Sequence, residues 1–262
     1  MPQGGAISAW MRLLLLGAVL VCASVQAAES PPIHPAIQAA VDSQERPPKD
    51  RARDENRHYA ELLEFFGVRP GMTILELFGA GGNTAEVLAR AVGSNGKVIM
   101  QNPDFFYERF GKKAVDERLA NNRLPNVVRL DKPLNEMGLE PNSLDGAVAN
   151  MVLHDFFWLS QDVPGVLKDV HKALKPGGWF GVVDHAAPAG TGAEHAKDRD
   201  RGTHRIDEAY VKKIFAEAGF VLEASNDVLR NPADDRSKPF YDESFRGKST
   251  DRFVLRFRKK SN

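Results

Sequence analysis

The chain has 262 residues, and its 35 Lys plus Arg balance 35 Asp plus Glu to a formal net charge of zero. That balance supplies no overall positive field, and no basic stripe interleaved with aromatics is visible, which argues against nucleic acid as a partner. The single cysteine is Cys22, so the chain beyond it can form neither a disulfide nor a thiolate metal site.

The N-terminal segment reads as a targeting signal. Arg12 precedes the apolar run 13–25, which is too short and too abruptly ended to span a membrane. Val25, Gln26 and Ala27 offer the small residues that signal peptidase requires, so residues 1–27 are expected to be a signal peptide cleaved after Ala27. Val21 before Cys22 argues against a lipoprotein anchor. Residues 28–48, rich in proline and polar side chains, read as a flexible lead, and residues 49–262 as one domain.

The periodicity over residues 50–66 predicts a helix with Tyr59, Leu62, Leu63 and Phe66 on one face, ending at Gly67. A strand over 73–78, a glycine turn and a helix over 84–92 follow, with Asn83 as its cap and Glu86 as the reciprocal acid. Residues 96–102, 126–131 and 143–150 read as further strands. Residues 161–174 read as a helix, and 174–184 as a helix end, a Pro-Gly turn and a fifth strand. Asp207 caps a helix whose Val211, Ile214, Phe215 and Ala218 face inward and which ends at Gly219. The last two strands are expected at 220–228 and 252–258, separated by a long polar loop.

The chemistry is concentrated at residues 73–83, Thr-Ile-Leu-Glu-Leu-Phe-Gly-Ala-Gly-Gly-Asn. A buried strand here runs into a turn whose glycines let a ligand lie against the backbone. A dinucleotide site needs a third glycine, but Thr84 stands there, and the turn has no basic residue for a pyrophosphate. Glu76, inside the strand, suits a cationic ligand better.

This motif resembles the first motif of class I S-adenosylmethionine-dependent methyltransferases, and the order of the later segments matches that family over residues 53–258. Lys175-Pro-Gly-Gly before the fifth strand is a frequent family feature. Arg53-Asp54, the run from Asn150 to Asp155, and His204-Arg205-Ile-Asp207 resemble a bacterial group of methyltransferases that carry signal peptides, which implies the periplasm. The resemblance implies a doubly wound, Rossmann-like α/β fold with a seven-stranded sheet whose last strand is antiparallel. It also implies S-adenosylmethionine as cofactor. A non-catalytic protein of this fold and an NAD(P)-dependent oxidoreductase are the alternatives.

The resemblance puts Glu76, Gly79, Gly81, Asn102, Asp131 and Asn150 around the cofactor. Glu76 would order the turn and help hold the methionine ammonium, or be satisfied within its strand. Asn102 stands where the family has an acid for the ribose hydroxyls, and a neutral amide makes weaker bonds there; Asp104 is the substitute. Asp131 would meet the adenine amine or merely form its turn. At the strand ends, His154, Asp184 and His185 are the candidates for the chemistry, with His154 as base or as a packing residue. His204 and Arg205 belong to a charged segment, 193–207, that reads as a substrate lid or a solvated loop. The wide spacing of the histidines lacks a short ligand motif, so no metal is expected. The clusters 105–107 and 156–158 read as pocket walls or plain core. A small molecule is the expected substrate.

Overall fold

A computed structural model describes residues 32–198, 200 and 202–261, apart from the side chain of Phe110. The expected signal peptide, with Cys22 and Ala27, lies outside the described residues.

Seven strands form one sheet: β1 (Thr73–Leu77), β2 (Lys97–Gln101), β3 (Val127–Leu130), β4 (Leu144–Asn150), β5 (Leu174–His185), β6 (Val221–Asn226) and β7 (Arg252–Arg258). Their spatial order is β3-β2-β1-β4-β5-β7-β6, with β7 antiparallel to both neighbours and the others parallel. This is the doubly wound seven-stranded sheet with an antiparallel last strand that the resemblance implies. β1 lies between β2 and β4, where Glu76 pairs with Met100 and Val148. The strand order reverses there, and open α/β sheets bind ligands at such a switch point.

Ten α-helical segments are described: α1 (Pro35–Asp42), α2 (Pro48–Arg51), α3 (Tyr59–Phe66), α4 (Asn83–Val92), α5 (Asp104–Phe106), α6 (Lys112–Leu119), α7 (Leu153–Trp158), α8 (Val163–Ala173), α9 (Glu194–Lys197) and α10 (Glu208–Glu217). Two apolar layers flank the sheet. One gathers Phe156, Leu167, Phe215 and Phe257, the other Ile37, Leu62, Leu88 and Trp179. The expected cap holds at α10, where Asp207 accepts from the Ala209 amide.

Five expectations are corrected. Residues 50–66 do not form one helix, because His58 takes a left-handed φ of 49° and splits it into α2, a 3-10 turn and α3. Within residues 28–48, the segment read as flexible forms α1, which seats Ile37 against α4. Asn83 is the first residue of α4 and not its cap; the cap is Gly82, with no side-chain bond. Glu86 is fully buried against Arg90, Arg118 and Arg123, so arginines hold it and not the reciprocal backbone amide. The Pro-Gly turn lies inside β5, where the pairing with β4 jumps from Leu174 to Trp179.

Candidate active site

The strand-to-helix turn after β1 is held from several sides. Phe78 and Ala80 adopt left-handed φ values of 48° and 46°, a strained conformation for residues with a β-carbon. β2 supplies the bracing. Gln101 Oε1 accepts from the Phe78 amide at 3.2 Å, and Asn102 Oδ1 accepts from the Ala80 amide at 2.8 Å. Asn102 Nδ2 also donates to Ala80 O at 3.3 Å. A β-carbon on Gly79 would lie 2.6 Å from Met100 Cγ and 2.7 Å from Glu76 Oε2, so only glycine fits against the buried acid. Gly82 supplies the φ of 77° that starts α4.

Behind the turn lies a polar hub. Thr84 Oγ1 meets the Tyr59 hydroxyl at 3.2 Å and accepts from Asn150 Nδ2 at 3.1 Å. Thr84 and the Ala85 amide also bond to Glu76. Glu76 is only 3% exposed, and burial pushes its carboxyl up to about 8 despite Thr84, Arg118 and Ala85, which pull the other way. Glu76 Oε2 and Asn150 Oδ1 are buried without a hydrogen-bond partner. Two orphaned acceptors beside one glycine turn suit a ligand with N–H donors and positive charge.

The turn opens into a cleft of about 910 Å³. Glu76, Gly79, Gly81 and Asn150 line it. Asn102 and Asp131 do not: Asn102 is fully buried on Ala80, and Asp131 pairs with Arg129 at 2.6 Å. Asp104, the other candidate for the ribose, is exposed at the start of α5. Phe106 lines the cleft and stacks on Phe78 at 4.9 Å, whereas Phe156 is core and Phe105 is exposed.

At the other end, α7 and β5 bring His154, Asp184 and His185 together. Asp184 Oδ2 accepts from the His154 amide at 2.8 Å, and its Oδ1 lies 2.7 Å from both His154 Nδ1 and the His185 amide. His185 lines the cleft; His154 and Asp184 sit behind it. His185 Nδ1 lies 2.6 Å from Thr250 Oγ1, and its ring stacks on Phe240 at 4.4 Å. Burial would lower the pKa of His154, but the charge and hydrogen bond of Asp184 overturn that and raise it. Burial, then the charges of His154, Arg252, Arg205 and Arg57, push His185 well below the usual imidazole range. Two histidines whose ring centroids lie 5.6 Å apart are thus driven in opposite directions, one toward the charged form and one toward the neutral form.

His154, Asp155 and His204 each offer a ligand-type atom within 4.8 Å of the others. His204 packs between Trp158 and Tyr241, and Arg205 is buried in an ion pair with Asp234 at 2.8 Å. His204 and Arg205, near the end of the charged segment 193–207, are therefore built into the protein and are not part of a free lid. The 240–250 loop supplies Phe240, Phe245, Lys248 and Thr250 to the cleft instead.

A family model for a methyltransferase domain matches residues 51–225. The chain belongs to this family. A sterol 24-C-methyltransferase of Yarrowia lipolytica is 26% identical over 195 residues, covering 71% of this chain and 48% of that protein. The chain spans about half the length of the curated relatives it matches. A SAM-dependent methyltransferase of Aquifex aeolicus superposes with a TM-score of 0.57 at 18% identity, over 79% of this chain and 93% of that one. The [4+2]-cyclase SpnF superposes equally well, with a TM-score of 0.57 at 18% identity over 81% and 82% of the two chains.

The cofactor of this methyltransferase-family chain is S-adenosylmethionine. The residues present fit it: Glu76 Oε2 and Asn150 Oδ1 are unpartnered acceptors for an ammonium group, beside a turn that admits a ligand against its backbone. A third glycine is unnecessary, because Thr84 in that place carries the hydroxyl that ties Glu76, Tyr59 and Asn150 together. Sequence reasoning missed Tyr59, Arg57, Phe240, Thr250 and Arg252. For Arg57, Thr250 and Arg252 the signal was present as two charged segments, 49–57 and 246–252.

Proposed function

We propose that this protein transfers a methyl group from S-adenosylmethionine to a small-molecule acceptor, with Glu76 and Asn150 gripping the cofactor's ammonium. The observation that carries the reading is the pair of orphaned buried acceptors, Glu76 Oε2 and Asn150 Oδ1, at the glycine turn. The cofactor supplies an electrophilic methyl on a sulfonium, and transfer is an in-line displacement that positioning and water exclusion accelerate.

His185 is the group that takes the acceptor's proton. It lines the cleft, and its surroundings keep it neutral well below the usual imidazole range. Asp184 and His154 position it: Asp184 accepts from the His185 amide, and the His154–Asp184 pair forms the wall behind. Gly79 and Gly81 shape the turn, while Asn102 braces Ala80 and does not face the cleft. Asp131 holds the end of β3 through Arg129.

A second reading, a binding protein that keeps the fold without catalysis, is favoured by one observation. The carboxylate expected at the end of β2 is replaced by Asn102, which is occupied with Ala80. Incubating the purified protein with methyl-labelled S-adenosylmethionine and a metabolite extract separates the two. Label entering a product, lost in Glu76→Ala, supports the enzyme; cofactor binding with no labelled product across the extract supports the binding protein.

The leader sequence and the motifs Arg53-Asp54 and His204-Arg205-Ile-Asp207 support export and a place among the bacterial methyltransferases that carry signal peptides. Cell fractionation and the N-terminal sequence of the secreted form test this, with Ala28 as the expected first residue.

A further inference from the structure

Met151, just past the end of β4, stands between two guanidinium groups. Arg57 Nη1 lies 3.4 Å from its Sδ, and Arg252 Nη1 lies 3.6 Å from it. A thioether is a weak acceptor and carries no charge. Among the described residues, no ion pair is recorded for either arginine. Arg57 is half-buried and leans on the Tyr59 hydroxyl. Arg252 is only 5% exposed; its Nη2 donates to Asn56 O at 2.8 Å, and its Nε is buried with no partner.

The acids nearby are engaged elsewhere. Asp251 faces Arg236 at 2.8 Å and Arg230 at 3.5 Å, and Asp50 holds Arg118 at 2.6 Å. Two like charges therefore share one neutral sulfur in a largely desolvated wall. That arrangement is costly unless an anion completes it. Burial first, then Arg57, lowers the pKa of Arg252 to about 10. Lys248, Thr250 and His185 also line the cleft, and Thr250 Oγ1 lies 2.6 Å from His185 Nδ1.

The sheet order shows which ligand would bring that anion. Arg252 opens β7, which lies beyond β4 and β5 as counted from β1. At a strand spacing of about 4.8 Å, its backbone lies roughly 14 Å from the strand that carries Glu76. Its β5 partner in register is His185. The unpaired charge thus belongs to the part of the cleft where the acceptor meets its base.

We propose that the methyl acceptor carries an anionic group, a carboxylate or a phosphate, that docks between Arg57 and Arg252. The proposal rests on the methyltransferase reading for the word acceptor, but the anion site itself does not. A planar guanidinium offers paired donors to either oxyanion. A sterol brings no such charge, so this acceptor differs in kind from that of the curated sterol relative.

Calorimetric titration of the purified protein, saturated with S-adenosylhomocysteine, against benzoate, phenyl phosphate and benzamide tests the site. Benzoate or phenyl phosphate should bind, and the neutral benzamide should bind at least tenfold more weakly. Arg252→Gln should weaken the anion at least tenfold, Arg252→Lys should retain part of the affinity, and neither should change S-adenosylhomocysteine affinity more than about twofold. Unchanged thermal unfolding confirms that the variants fold, and Arg57→Gln is the second probe if Arg252→Gln does not fold. Benzamide binding as tightly as benzoate would overturn the proposal. So would an equal loss of S-adenosylhomocysteine affinity in Arg252→Gln, because the anion would then be the cofactor's own carboxylate. If S-adenosylhomocysteine fails to bind at all, the methyltransferase reading fails, and titration of the anions alone still reads the site.

Discussion

Glu76 shows how one buried acid couples stability to cofactor binding. Its carboxyl is raised to about 8 by burial, against a reference value of 4.5. A carboxyl raised by folding binds its proton more tightly in the native state, so its contribution is fully present below pH 4.5 and is lost as pH rises through about 8. The full shift corresponds to a loss of about 5 kcal/mol. Glu76→Gln removes the titration, so its thermal stability should change less than that of the wild type between pH 5 and pH 8. Parallel stability curves for the two proteins would remove Glu76 as the source. At the acceptor end the prediction concerns rate. His185→Gln should lower kcat about 100-fold while leaving cofactor affinity nearly unchanged, and the acid limb of the wild-type rate profile should fall below pH 6.5 because His185 is held neutral. A rate that already halves near pH 6.5, or a His185→Gln enzyme of full activity, would return the proton to another group.

At the scale of elements, what the sequence shows plainly is what depends on local pattern. The apolar run at Ile74–Leu77 with a glycine cluster behind it could only be a central strand and its turn, and the spacing of Val211, Ile214 and Phe215 could only be one buried helix face. The errors arise where a distant partner decides. Glu86 reads as a capping acid beside Asn83, but three arginines from sequence-distant or adjacent-turn positions bury it. Residues 35–42 read as part of a flexible lead because proline and polar residues dominate, although Ile37 and Ala40 seat the helix on α4. Ile37 is fully buried, so Ile37→Ala should cost about 3 kcal/mol and lower Tm by roughly 10 °C. An unchanged Tm would show that the segment is dispensable, as a flexible lead would be. Similarly, residues 246–251 read as part of a long polar loop and 252–258 as the last strand; only the pairing of β7 with β5 brings Arg252 beside His185.

On the scale of the whole molecule, the order β3-β2-β1-β4-β5-β7-β6 explains why the two halves of the site have different characters. The glycine turn and Glu76 lie where the strand order reverses, and β5 with β7 carries His185 and Arg252 to the far side of the same cleft. No helix among the described residues is long and apolar enough to cross a membrane. The fold alone does not decide the chemistry, since a [4+2]-cyclase shares it. The claim that joins fold, turn and acid is that the cleft holds a cationic cofactor against Glu76. Calorimetric titration with S-adenosylmethionine and with NAD⁺ at pH 7, in two buffers of different ionisation enthalpy, measures it directly. The account predicts S-adenosylmethionine binding with net proton release, abolished release in Glu76→Gln, and no NAD⁺ binding. Tight NAD⁺ binding without S-adenosylmethionine binding, or proton release unchanged in Glu76→Gln, would contradict it.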